Sequence, residues 1–80
     1  MNTNNELIGR IAVDPEVMVG KPVVKGTRLT VEHILSLLIS GMTIEEILED
    51  YPNLAREDIF ACLAFAKEAL SNSTFMPLSY

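Results

Sequence analysis

Tryptophan is absent from this 80-residue chain, and cysteine and histidine occur once each. Each shortage excludes something. A lone cysteine, Cys62, cannot close an intramolecular disulfide, and together with His33 it cannot supply the four ligands of a structural zinc site. No metal or cofactor is implied. The apolar runs are short, the one over residues 34–39 being interrupted by Ser36, and they fall far short of the roughly 18 residues of a membrane span. Residues 1–6 carry neither the basic nor the apolar region of a signal peptide. A cytoplasmic protein is the resulting expectation, and a free thiol suits a reducing compartment. Basic residues are also scarce, six against eleven acids for a net charge of −5. That balance excludes a protein held to nucleic acid by bulk charge alone.

What is present is apolar and compact. Hydrophobic residues make up 49% of the chain, yet a domain of this size buries only about 63% of the surface its unfolded form exposes. With no disulfide or metal to help, association with itself or with a partner is the remaining source of stability.

The chain reads in three parts. Residues 1–9 are polar and predicted to fray. Residues 10–29 alternate β-branched residues with turn formers, as in Gly20-Lys21-Pro22-Val23-Val24-Lys25-Gly26-Thr27, and predict a short β arm or hairpin. Gly26 is expected at a positive φ in a tight turn, and Pro22 only at the start or edge of a strand. From Thr30 the period becomes helical. Thr30 is a predicted N-cap, with Val31, Ile34, Leu35 and Leu38 on one face, and Gly41 ends that helix. Thr43-Ile44-Glu45-Glu46 is a capping box opening a second helix, which Tyr51-Pro52 closes. A third helix is predicted over residues 55–70, its stripe of Ile59, Cys62, Leu63, Ala66 and Leu70 facing the core. The fold class expected is therefore mainly α: a trihelical helix-turn-helix, homeodomain-like or winged-helix-like, with an N-terminal β arm over residues 10–29 and a tail at 71–80.

Catalytic constellations fail in turn. Gly20-Lys21 and Lys25-Gly26-Thr27 lack the spacing of a phosphate loop. Glu45, Glu46, Glu49 and Asp50 lie on an exposed helix face, with no apolar pocket to raise a pKa. His33 has no third group to orient it toward Ser36 or Cys62, and Cys62 sits in the apolar stripe as a core thiol. The expectation is a protein that is not an enzyme.

Binding surfaces fare better. Residues 1–30 carry four basic groups against three acids, and residues 31–80 carry two against eight. Nucleic-acid contact, where it occurs, then belongs to the arm and the start of the third helix: Arg10, Lys21, Lys25, Arg28 and Arg56. The competing role for the arm's cations is to solubilise an edge strand, and Arg28 has Glu32 one turn on as an alternative partner. Phe60 and Phe65 lie off the third helix's stripe and point to a second buried surface, a homodimer seam by preference, with ordinary coverage of the strand segment as the alternative. In the tail, Phe75, Met76, Leu78 and Tyr80 follow a polar spacer around Pro77, a segment suited to docking on its own domain or on another protein, with simple disorder as the third reading.

Asp14-Pro15, the block Gly20-Lys21-Pro22-Val23-Val24-Lys25-Gly26-Thr27-Arg28, and the continuation Gly41-Met42-Thr43-Ile44-Glu45-Glu46-Ile47-Leu48-Glu49-Asp50-Tyr51-Pro52 together resemble a small bacterial family catalogued as a conserved domain of unknown function. The likeness extends over about residues 8–69. It implies the helix-turn-helix fold and an antitoxin of VapB type that binds a PIN-like nuclease toxin and represses its own operator DNA. Within the block, Gly20, Pro22 and Gly26 are expected to shape turns, and Thr27 and Arg28 to anchor the arm to the first helix. One departure stands out: the family often has Thr or Ser where this chain has Ala55, which removes the third helix's usual cap. The alternative is a dimeric interaction module that never touches DNA.

Overall fold

The computed structural model describes residues 3–16 and 18–71. It contains four helices and one small sheet in the order α1 (Thr3–Ile8), β1 (Ile11–Ala12), a single 3₁₀ turn (Met18–Gly20), β2 (Val23–Val24), α2 (Val31–Ile39), α3 (Ile44–Asp50) and α4 (Arg56–Ser71). β1 and β2 pair antiparallel, Ile11 with Val24 and Ala12 with Val23. The domain is mainly helical with a β hairpin, as its sequence pattern predicts. Among the described residues no helix is long and apolar enough to cross a membrane.

The local signals act as the chemistry requires. The Thr30 hydroxyl accepts from His33 N–H at 3.0 Å, opening α2. Gly41, at φ +99, lies just beyond it. At α3 the capping box closes in both directions: Glu46 N–H donates to the Thr43 hydroxyl at 3.1 Å, and Thr43 N–H donates to the Glu46 carboxylate at 2.8 Å. Two donors that α3 cannot satisfy internally are thereby paired. β2 begins one residue after Pro22, whose missing N–H costs the ladder nothing there.

Val24, Val31, Ile34, Ile47, Leu54, Ile59 and Cys62 form one buried cluster, with Ile34, Ile47, Ile59 and Cys62 wholly shielded. Leu35, Leu38, Ile44 and Leu48 pack partly against it. At tens of cal/mol per Å² of apolar area buried, this cluster is the main stabilising contribution.

Three expectations need correction. Residues 3–8 form α1 rather than a frayed end, and α1 packs along α4. In α4, Ala61 and Ala64 are buried, while Leu63 and Leu70, expected inside, are 43% and 60% exposed. Small side chains at 61 and 64 allow another backbone to approach closely, and the larger leucines are rotated outward. Phe65, expected at a dimer seam, is half-buried and packed against the core cluster. The docking segment containing Phe75, Met76, Leu78 and Tyr80 lies outside the described residues.

Candidate functional site

The glycine-rich block builds a hairpin tip. Val24 O accepts from Thr27 N–H at 3.0 Å, and Gly26 holds φ +79. This is a type II turn, which demands a positive φ at its third residue. The Thr27 hydroxyl fixes the turn twice, donating to Val24 O at 2.8 Å and accepting from Leu29 N–H at 3.0 Å. Thr27 thus closes the turn rather than anchoring the arm to α2. The anchoring is done by backbone: Val31 N–H donates to Pro22 O at 2.9 Å, and Val23 pairs antiparallel with Thr30. Gly20, at φ +78, follows Val19, which holds φ 57 despite its β-branched side chain.

The five cations expected at nucleic acid separate into two groups. Three are engaged. Arg10 Nη1 donates to Asp58 Oδ1 at 3.0 Å, Lys21 pairs with Glu32 at 3.5 Å, and Arg56 pairs with Glu45. Hydrogen bonding to Arg56 holds the Glu45 carboxyl below its ordinary value. Glu32, the alternative partner for Arg28, is taken by Lys21. Lys25 and Arg28 remain exposed, with no ion pair among the described residues. They flank the turn and line the same open hollow of about 500 Å³, together with Ala12 and Asp14. A second hollow, of about 440 Å³, lies between Arg28, Leu29, Tyr51, Pro52 and Asn53.

The reactive side chains are engaged elsewhere. Cys62 is buried, and desolvation, reinforced by the negative charge of Asp58, pushes its thiol up to about 11. A neutral thiol shielded from solvent is a poor nucleophile. His33 Nε2 lies 3.0 Å from the Tyr51 hydroxyl, and the two rings meet edge to face. That contact joins α2 to the end of α3. Among the described residues no three of His, Cys, Asp and Glu group as a metal-ligand set.

Asp58 is the residue that sequence reasoning missed. Its Oδ2 accepts from Ala55 N–H at 2.8 Å, while its Oδ1 takes Arg10, so one carboxylate caps α4 and holds the arm. The signal was present in the spacing. Asp58 lies three residues after Ala55, the position from which a side chain reaches back to a helix start.

The outward face of α4 is an uncovered apolar feature. Phe60, Leu63 and Leu70 are 39%, 43% and 60% exposed along one side of that helix.

A small helical domain with a β hairpin, an apolar face on its last helix and two exposed cations at the hairpin tip is the class defined by these observations. The chain belongs to the family described as "Protein of unknown function (DUF433)", whose model matches residues 11–66. Its structure resembles the crystal structure of a DUF433 member protein from Anabaena variabilis, with a TM-score of 0.74 and 25% identity, covering 84% of this chain and 66% of the other. The uncharacterized protein y4eO of Sinorhizobium fredii is 32% identical over 57 residues, 71% of this chain. The match spans only 26% of that relative's length.

Proposed function

We propose that this chain is a non-catalytic binding protein, the antitoxin-like member of a two-protein toxin–antitoxin module, acting in the cytoplasm on a PIN-like nuclease. The observation that carries this reading is the exposed apolar face of α4, with Phe60, Leu63 and Leu70 left to water in a domain with little core to spare. An aromatic and aliphatic cluster of this kind is what protein interfaces place at their centre. The block from Gly20 to Arg28 resembles a family of unknown function, and the VapB-type antitoxin role which that resemblance implies supports the reading. The seclusion of Cys62 and the engagement of His33 speak for binding over catalysis.

Operator contact, in this reading, is confined to Lys25 and Arg28 at the hairpin tip. Cation by cation, Arg10, Lys21 and Arg56 already have carboxylate partners. That observation favours a second reading, a dimeric interaction module that does not bind DNA.

Co-expression with the product of the adjacent gene, followed by purification and mass measurement, tests partner and stoichiometry together. The expected result is a stable complex whose nuclease activity is suppressed, and Phe60→Glu should weaken it. A chain that purifies alone and leaves the nuclease active overturns the antitoxin reading.

A further inference from the structure

The second hollow, of about 440 Å³, lies where the hairpin tip meets the turn between α3 and α4. Its size is that of a small-molecule site, which runs to roughly 300–1,000 Å³. Leu29, Tyr51 and Pro52 supply apolar lining, and Arg28, Asp50 and Asn53 supply polar groups. The lining is held in place before any ligand arrives. Leu29 and Tyr51 both pack against the core cluster. The Thr27 hydroxyl accepts from Leu29 N–H at 3.0 Å, and His33 Nε2 lies 3.0 Å from the Tyr51 hydroxyl. Arg28 and Asp50 are the hollow's two charges. Both are exposed, and neither forms an ion pair with the other or with any described residue. Asp50 is also the last residue of α3, whose final turn holds no basic residue. A carboxylate there faces the negative end of its own helix and lacks a cation to offset it.

We infer that this hollow binds a free α-amino acid with an apolar side chain. Charge selects the class. A simple anion drawn to Arg28 meets the carboxylate of Asp50, and a simple cation drawn to Asp50 meets the guanidinium, whereas a zwitterion satisfies both. An α-amino acid carries its carboxylate and its ammonium on one carbon. The guanidinium takes the carboxylate as a forked pair, and the Asp50 carboxylate accepts from the ammonium. The Asn53 carboxamide offers a donor and an acceptor beside them. The ligand's side chain is left to Leu29, Tyr51 and Pro52, none of which brings a charge. Arg28 also lines the first hollow, beside Lys25. An amino acid seated on Arg28 therefore withdraws one of the two cations assigned to operator DNA. That regulatory consequence rests on the operator reading; the site itself does not.

Titration of the full, isotope-labelled chain with free L-phenylalanine and L-leucine, followed by amide chemical shifts, tests the site. Saturable shifts are expected across residues 26–29 and 50–53. Arg28→Gln and Asp50→Asn should each weaken binding about tenfold or more. Phenylpropionate, which lacks the ammonium, and phenethylamine, which lacks the carboxylate, should bind the wild type about tenfold or more weakly than phenylalanine. The analogues use the unaltered chain, so they decide even where a variant fails to fold. Absence of saturable shifts with both amino acids overturns the proposal, as does equal affinity for phenylalanine and phenylpropionate. In a gel shift on the chain's own promoter, the amino acid should lower wild-type affinity. Asp50→Asn should keep its affinity for DNA and lose that response. An amino acid that binds without changing DNA affinity upholds the site and removes Arg28 from the operator.

Discussion

Arg10 donates from Nη1 to Oδ1 of Asp58 at 3.0 Å across 48 residues of sequence, and Asp58 is only 8% exposed. The carboxylate's other oxygen takes Ala55 N–H, and the Arg10 carbonyl accepts Lys25 N–H at 2.9 Å. Hairpin and last helix are thus joined through two residues. Losing the carboxylate strands both donors, so Asp58→Ala should cost about 1–3 kcal/mol. Arg10→Ala, whose side chain is partly solvated, should cost about 1 kcal/mol or less. Urea denaturation of both single variants and the double variant measures the coupling, and additive effects would show that the pair is energetically idle.

Ala55 leaves α4 with half a capping box. Ala55→Ser adds the missing acceptor and should stabilise the domain by about 1 kcal/mol, read as a higher urea midpoint at unchanged slope.

Val19 and Gly26 make opposite backbone predictions. Val19 sits at φ 57 with its side chain 93% exposed, so it carries left-handed strain with little packing in return. Val19→Gly should leave stability unchanged or raise it by up to about 1 kcal/mol. Gly26→Ala meets no atom within 4 Å, yet it places a Cβ at φ +79 and should cost about 1–2 kcal/mol. Thermal unfolding of both variants distinguishes a conformational effect from a packing one.

Cys62 makes stability fall in alkali. Its thiol is pushed up from 9.0 to about 11 in the folded chain, so the folded state holds its proton after the unfolded state has released it. Stability from this group is intact below pH 9 and declines as pH rises toward 11, by roughly 2–3 kcal/mol at the upper end. Cys62→Ala should remove this share of the alkaline slope. In the native protein at pH 8, alkylation of Cys62 should proceed only as fast as unfolding.

The hairpin tip and the engaged cations separate in a gel-shift titration on the chain's own promoter. Lys25→Glu with Arg28→Glu should remove operator affinity and lower the salt slope by about 2 per protomer. Arg10→Ala should change it mainly through folding. Equal affinity for the double variant and the wild type would leave the interaction module without DNA as the surviving reading.

The caps and turns were legible in the sequence because each is a contract among near neighbours. Thr30 with His33, Thr43 with Glu46, and Gly26 with its turn are decided within four residues, and the structure carries all three. The change from alternation to helical period at Thr30 is local in the same way. Which face of α4 meets the core was decided by tertiary packing alone. Ile59, Cys62, Leu63 and Leu70 lie within one broad apolar arc, and the tertiary packing of α4 against α1, α2, α3 and β1 buries Ala61 and Ala64 and leaves Leu63 and Leu70 outside. The fate of the cations followed the same rule. Composition counts charges, but an ion pair across 48 residues, such as Arg10 with Asp58, exists only once the hairpin has been laid against the start of the last helix.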